Sequence, residues 1–166
     1  MNPSLARLIS QGFGLGLLPK APGTWASAAA IPVGYLLHRI GGFPLFGAVA
    51  VLTAVVGWIA VRSYLQTSAD PDPSEVVVDE IVGQWIPLAA VSYGLWAHGV
   101  TSFPWPGWVC AFLFFRLFDI WKPGPVGWAD RKPGATGVML DDVIAGLLAA
   151  VVTMAAAGFY HGVLGR

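Results

Sequence analysis

Charge is scarce in this sequence. Only 11% of residues are charged while 56% are hydrophobic, whereas a soluble domain carries about 25% charged residues. A water-soluble protein is a poor fit to that balance. The few charges cancel, 9 Lys and Arg against 9 Asp and Glu, so no basic face points to nucleic acid. The single cysteine, Cys110, sits in an apolar run; it excludes an intrachain disulfide or a cysteine-based zinc site and reads as a small buried apolar residue. Met1 to Gln11 hold one basic residue and no long apolar run before a small-residue cleavage site, so they do not read as a cleaved signal peptide. No composition shift or Gly/Ser linker divides the 166 residues, which predicts one domain over 1–166.

What the sequence does have is apolar stretches, at residues 25–37, 43–61, 81–96, 105–118 and 143–164. The second and fifth approach the roughly 20 residues a spanning helix needs; the others are shorter or interrupted, the first by Pro32. The predicted fold is all-α: a polytopic membrane bundle of about four to five apolar helices. Tryptophans 58, 85, 96, 105, 108, 121 and 128 fall largely near segment ends, where amphipathic rings favour the headgroup region. If the stretches cross in turn, the polar segments before Trp25, from Arg62 to Glu80 and from Asp119 to Asp142 all emerge on one face. That face holds Arg7, Lys20, Arg62, Lys122, Arg131 and Lys132, with Arg116 just inside the boundary, against Arg39 and Arg166 on the other. The positive-inside rule makes it cytoplasmic.

The three polar segments carry the chemistry. In Lys20-Ala21-Pro22-Gly23-Thr24-Trp25-Ala26-Ser27, Pro22-Gly23 predicts a turn and Thr24 an N-cap; hydroxyls, free N–H groups and an ammonium together suit an oxyanion. The spacing is not that of a Walker loop. In Asp72-Pro73-Ser74-Glu75 the pattern predicts a helix start capped by Asp72, which sets Asp79 and Glu80 about two turns into that helix. There, at the edge of an apolar stretch, carboxylates are costly without a partner. Gly83, four residues after Asp79 on the same face, leaves room for an ion, a substrate group or a close helix. Arg116, Asp119 and Lys122 fall at i, i+3 and i+6 on a helix that Pro123 ends. Asp141-Asp142 opens the last apolar helix, and Asp130-Arg131-Lys132 reads as a solvated loop.

Asp79, Glu80, Asp119, Asp141 and Asp142 beside Lys20, Arg116 and Lys122 offer oxygen ligands for a hard cation, with Mg²⁺ preferred because a few carboxylates, waters and substrate phosphate usually hold it. Such a site suits phosphate-ester hydrolysis, with a metal-activated water in place of a reactive serine or cysteine.

The segments together resemble the phosphatidylglycerophosphatase A family. The resemblance rests on Pro19-Lys20-Ala21-Pro22-Gly23-Thr24-Trp25-Ala26-Ser27, Val77-Val78-Asp79-Glu80-Ile81-Val82-Gly83, Phe115-Arg116-Leu117-Phe118-Asp119-Ile120-Trp121-Lys122-Pro123 and Met139-Leu140-Asp141-Asp142-Val143-Ile144-Ala145-Gly146, in that order. It implies an all-helical fold and Mg²⁺-dependent hydrolysis of phosphatidylglycerophosphate to phosphatidylglycerol and phosphate, in phospholipid biosynthesis at the bacterial inner membrane. The expected roles follow from charge type and position. Asp79, Glu80 and Asp142, supported by Asp141, hold Mg²⁺; Lys20, Thr24, Ser27, Arg116 and Lys122 hold phosphate. Asp119 acts as general base or as a further metal ligand, so that Asp79, Glu80 and Asp119 form the catalytic group. Homo-oligomerisation is left open.

Three other readings compete. A cation transporter or channel would need ionisable groups continuing across the membrane, and residues 43–61 and 143–157 contain none. A phosphoalcohol transferase would show a repeated Asp-Gly signature, which is missing. A scaffold would leave the Asp79-Glu80 pair unexplained.

Overall fold

A computed structural model describes residues 1–102 and 104–160. The regular elements among these residues are all helices, with no strand among them. The helices are α1 (Pro3–Ser10), a 3₁₀ turn (Gly12–Leu17), α2 (Pro22–Leu65), α3 (Val78–Ala97), α4 (Trp105–Trp121), α5 (Pro125–Asp130) and α6 (Gly134–Phe159). The end of the fifth apolar stretch, residues 161–164, and Arg166 lie outside the described residues.

The 44 residues of α2 are not one rod. Gly41 and Gly42 leave helical geometry, Gly42 at φ 61° and ψ −159°, a conformation that only glycine adopts readily. The chain reverses there. Gly34 in the first arm faces the Phe46 ring in the second, and the two arms lie along α3 in opposite senses. On the first arm, the Trp85 indole donates to the Ala30 carbonyl at 2.8 Å and His38 meets Ser92 at 2.8 Å. On the second, Phe43 packs on Tyr93 and Trp96, and Phe46 on Trp85, while Gly57 reaches Val78. Each arm is about 20 residues, so the Pro32-interrupted first stretch runs as far as the second.

The remaining long helices continue the alternation. α4 runs against α3, with Gly107 at Val91 and Phe115 at Gly83, whereas α6 runs with it, from Gly83 beside Asp142 and Gly146 to Gly94 beside Met154. The start of α2, the start of α3, the end of α4 and the early turns of α6 therefore share one end of the bundle. α2 and α6 are the helices long and apolar enough to cross a bilayer, fewer than the four to five expected from sequence. Only 22% and 39% of their most apolar windows are buried. Their apolar side chains face outward, the reverse of a soluble core helix, which indicates membrane association.

Two sequence expectations fail locally. Thr24 does not cap α2, which begins at Pro22 after a left-handed Ala21; proline at the first turn already fixes the helical φ and lacks the N–H a cap would serve. Nor does a helix begin at Asp72. Val76 and Val77 are buried, the Val77 N–H donates to the Ser10 carbonyl at 2.9 Å, and Tyr64 donates to Glu75 at 2.8 Å. Docking against α1 and α2 holds this segment out of a helix until Val78, so Asp79 and Glu80 lie in the first turn of α3.

Gly83 is where three helices meet. A Cβ there would stand 2.6 Å from the Phe115 ring and 2.8 Å from the Asp142 carbonyl oxygen, so of the uses open to it in the sequence, close helix approach is the one observed. Gly83→Val is expected to cost about 1–3 kcal/mol by overpacking, read as a lowered thermal midpoint in detergent. Gly47→Ala, whose Cβ would meet only the Phe43 ring at 3.6 Å, should leave the midpoint unchanged or raised.

Candidate active site

Four helices contribute side chains to the shared end. Ser27, a turn and a half into α2, is fully buried. Its Oγ lies 2.8 Å from the Gly23 carbonyl and 3.1 Å from Glu80 Oε2. Arg116 of α4 donates to the same Glu80 oxygen, approaches Ser27 Oγ at 3.4 Å and pairs with Asp119 at 3.0 Å. The i, i+3 spacing thus makes an intrahelical ion pair, and Arg116 also reaches Glu80 of α3 and Ser27 of α2. Asp142 of α6 completes the group: Glu80, Asp119 and Asp142 each offer a carboxylate oxygen, all within 4.8 Å of one another.

A cavity of about 430 Å³ opens beside them, lined also by Asp72, Asp79 and Asp141. Asp79 turns back on its own helix, accepting the Glu80 N–H at 2.9 Å. Asp141 accepts from Lys122 at 2.8 Å, and Lys122 also pairs with Asp130. Lys122 reaches both because it ends α4 in the left-handed region, at φ 48°, ahead of Pro123. α5 then brings Asp130 back, so the segment expected to be a solvated loop places Asp130 and Lys132 on the cavity wall.

Of the residues expected from sequence, Glu80, Asp119, Asp142, Arg116 and Ser27 come together; Glu80, Asp119 and Asp142 line the cavity with Asp79, Asp141 and Lys122, whereas Arg116 and Ser27 do not. The carboxylate triad includes Asp119 and omits Asp79 and Asp141, a different grouping from the expected metal set. Asp141 and Asp142 are buried two turns inside α6, so they do not cap it. Lys20 is exposed, and neither it nor Thr24 lines the cavity. Sequence reasoning missed Gly23: a Cβ there would overlap the Glu80 carboxylate, so glycine is what admits that side chain. The Pro22-Gly23 turn signal marked the position but not this use.

The triad has the character of a hard-cation site. Its donors are all oxygen, and Asp142 Oδ1 is buried without a hydrogen-bond partner, an arrangement that costs free energy unless something else satisfies it. For Lys122, burial disfavours the ammonium, but the hydrogen bonds and charges of Asp130 and Asp141 outweigh it and hold its pKa above the ordinary lysine value.

Fold and site define a class: an all-helical, membrane-associated protein with a buried carboxylate cluster and a bridging arginine at one end. The family is specific. Residues 8–157 match the family model of Phosphatidylglycerophosphatase A, and the chain belongs to that family of phosphatases. It is similar to the Phosphatidylglycerophosphatase A of Escherichia coli K12, at 37% identity over 86% of this chain and 78% of the relative. It is similar also to that of Haemophilus influenzae, at 36% over 93% and 89%. A Bacteroides thetaiotaomicron protein, named provisionally as a phosphatidylinositol-3-phosphatase, is 40% identical over 84% and 86%. No solved structure matches the chain significantly.

The carboxylate triad sets a dependence on divalent cation. An ion that binds the folded protein at Glu80, Asp119 and Asp142 and not the unfolded chain stabilises the fold by mass action. The thermal midpoint in detergent is expected to rise with added Mg²⁺ and to fall back with chelator, and Glu80→Gln should reduce that rise.

Proposed function

We propose that this protein hydrolyses the phosphomonoester of phosphatidylglycerophosphate, giving phosphatidylglycerol and inorganic phosphate, as a step of phospholipid biosynthesis. One observation carries the reading: the Glu80–Asp119–Asp142 triad faces Arg116 at the end of a bundle whose outer surface is apolar. The family and the names of the two phosphatidylglycerophosphatase relatives supply the substrate. The transporter reading gains no support, because among the described residues no charged side chain lies between this cluster and Arg39 near the opposite end.

Glu80, Asp119 and Asp142 would hold Mg²⁺, with Asp79 and Asp141 supporting from the cavity wall. The bound ion would polarise a phosphoryl oxygen and make a nucleophile of water. The chain's own groups do the rest. Arg116, fixed by Ser27 and two carboxylates, would hold Glu80 and Asp119 in position and add positive charge beside the phosphoryl group. Lys122, kept charged by Asp130 and Asp141, offsets charge developing on the phosphate. Asp119 is placed to accept a proton from the attacking water. That water's oxygen would form the new P–O bond as the bond to the glycerol oxygen breaks, and the glycerol oxygen would take up the proton that Asp119 received and leave as an alcohol.

We place the protein in the bacterial inner membrane with both arms of α2, α3, α4 and α6 crossing it. The site then faces the cytoplasm, where the basic residues concentrate, and the lipid's acyl chains stay in the bilayer while its headgroup enters the cavity.

Detergent-purified protein is expected to release phosphate from phosphatidylglycerophosphate with Mg²⁺ and not with chelator. Phosphatidic acid and phosphatidylinositol-3-phosphate serve as competing substrates, the second because of the Bacteroides relative's name. Glu80→Gln and Asp142→Asn should each lower kcat/KM by about 100-fold or more while leaving the protein folded. Full activity in Glu80→Gln would sink the assignment, and preference for the inositol lipid would replace the substrate.

A further inference from the structure

At the end of the bundle that holds the cavity, against the chain that leads into α3, stands a segment that the proposed chemistry does not use. α1 buries Ala6 and Ser10 and packs Ile9 on the Val61 cluster, yet its outer face still carries Leu5 and Leu8, each about half exposed. The turn after it is stranger. Gly12, Phe13 and Gly14 are all left-handed, at φ 54°, 58° and 102°, which costs glycine nothing but costs a bulky aromatic its preferred backbone. Phe13 is nonetheless 77% exposed, so no core contact explains the strained conformation that points its ring outward. Leu17 is 61% exposed, and Trp25 beyond it 57%.

The base of this turn is rigid. A Cβ on Gly12 would already press on Val77 and Ile81 at 3.0 and 3.3 Å, and one on Gly16 would overlap the Glu75 carbonyl. The Val77 N–H is bonded to Ser10. The turn is therefore fastened to the segment that leads directly into Asp79 and Glu80. Its apolar side chains continue through Leu18 into the outward apolar surface of α2. Exposed Arg7 and Lys20 flank them with the charge that an anionic lipid surface attracts.

We propose that α1 and the Gly12–Leu17 turn form an interfacial anchor. Phe13 and Leu17 seat in the headgroup layer of an anionic phospholipid bilayer, on the cavity's side of the bundle, and set the depth of the Glu80–Asp119–Asp142 site relative to lipid phosphates. This rests on the reading that the enzyme acts on a membrane lipid. A continuous apolar rim fastened to the helix that supplies Glu80 carries membrane position directly to the site.

The test uses the full chain in nanodiscs of phosphatidylethanolamine and phosphatidylglycerol. An environment-sensitive fluorophore on Phe13→Cys, in a Cys110→Ala background, is expected to emit as in an apolar medium and to be quenched by a headgroup-level lipid quencher. Quenching by aqueous iodide alone would overturn the anchor. So would protection from both quenchers, which would mean that protein, such as a second copy, covers the turn.

The kinetic arm uses Phe13→Asn with Leu17→Gln, asparagine being chosen because it tolerates the left-handed conformation. The pair should lower kcat/KM on long-chain substrate in the bilayer by about tenfold, and leave hydrolysis of a monomeric short-chain analogue unchanged. An equal loss on both substrates would also overturn the proposal. A wild type inactive on both would instead refute the proposed activity, and the fluorophore's depth would still decide the anchor.

Discussion

Arg116 makes this end of the bundle possible. Three carboxylates with oxygens within 4.8 Å repel one another strongly once water is removed, and each charge also pays its own desolvation cost. Arg116 offsets part of this by pairing with Glu80 and Asp119 together, and Ser27 Oγ steadies the guanidinium and the Glu80 oxygen from a third helix. A lysine could not take its place, because one ammonium lacks the planar fork that holds several partners in fixed directions. The compensation is incomplete, since Asp142 keeps an unpartnered buried oxygen. A site left acidic in this way accepts a cation more readily than it excludes one.

The convergence also depends on residues without side chains. Gly23 admits the Glu80 carboxylate, and Gly83 and Gly146 bring α3 and α6 close enough for the Gly83 carbonyl to sit where a Gly146 Cβ would stand. Without that approach Asp142 could not reach the α3 and α4 carboxylates. Packing and electrostatics are coupled here: methyl groups added at these glycines would separate the charges as well as loosen the helices.

Much of the fold was legible in the sequence because membrane-length apolar runs are a strong periodic signal. The stretches at 25–37 and 43–61 correspond to the two arms of α2, and their alternation put every site residue at one end. What the sequence concealed were tertiary effects. Asp72-Pro73-Ser74-Glu75 is a plausible helix start, overridden because burying Val76 and Val77 and bonding Val77 to Ser10 favours an irregular, docked chain. Lys20 and Thr24 belong to a family motif, yet the left-handed Ala21 and the helix beginning at Pro22 leave them off the cavity wall. Asp130 is exposed, as the sequence suggested, but nothing local reveals that α5 folds back so that it pairs with Lys122.

The division among the acids has a simpler origin that the sequence did contain. Consecutive residues on a helix point about 100° apart, so neither Asp79-Glu80 nor Asp141-Asp142 can aim both carboxylates at one point. Each pair splits. Glu80 and Asp142 turn toward Asp119 and Arg116, whereas Asp79 turns back on its own helix and Asp141 faces Lys122. The cavity wall thus carries three clustered acids short of positive charge and another acid that a lysine already balances. A phosphate, which needs cations on one side and a metal on the other, is matched by that asymmetry in a way that four equivalent carboxylates around one ion would not provide.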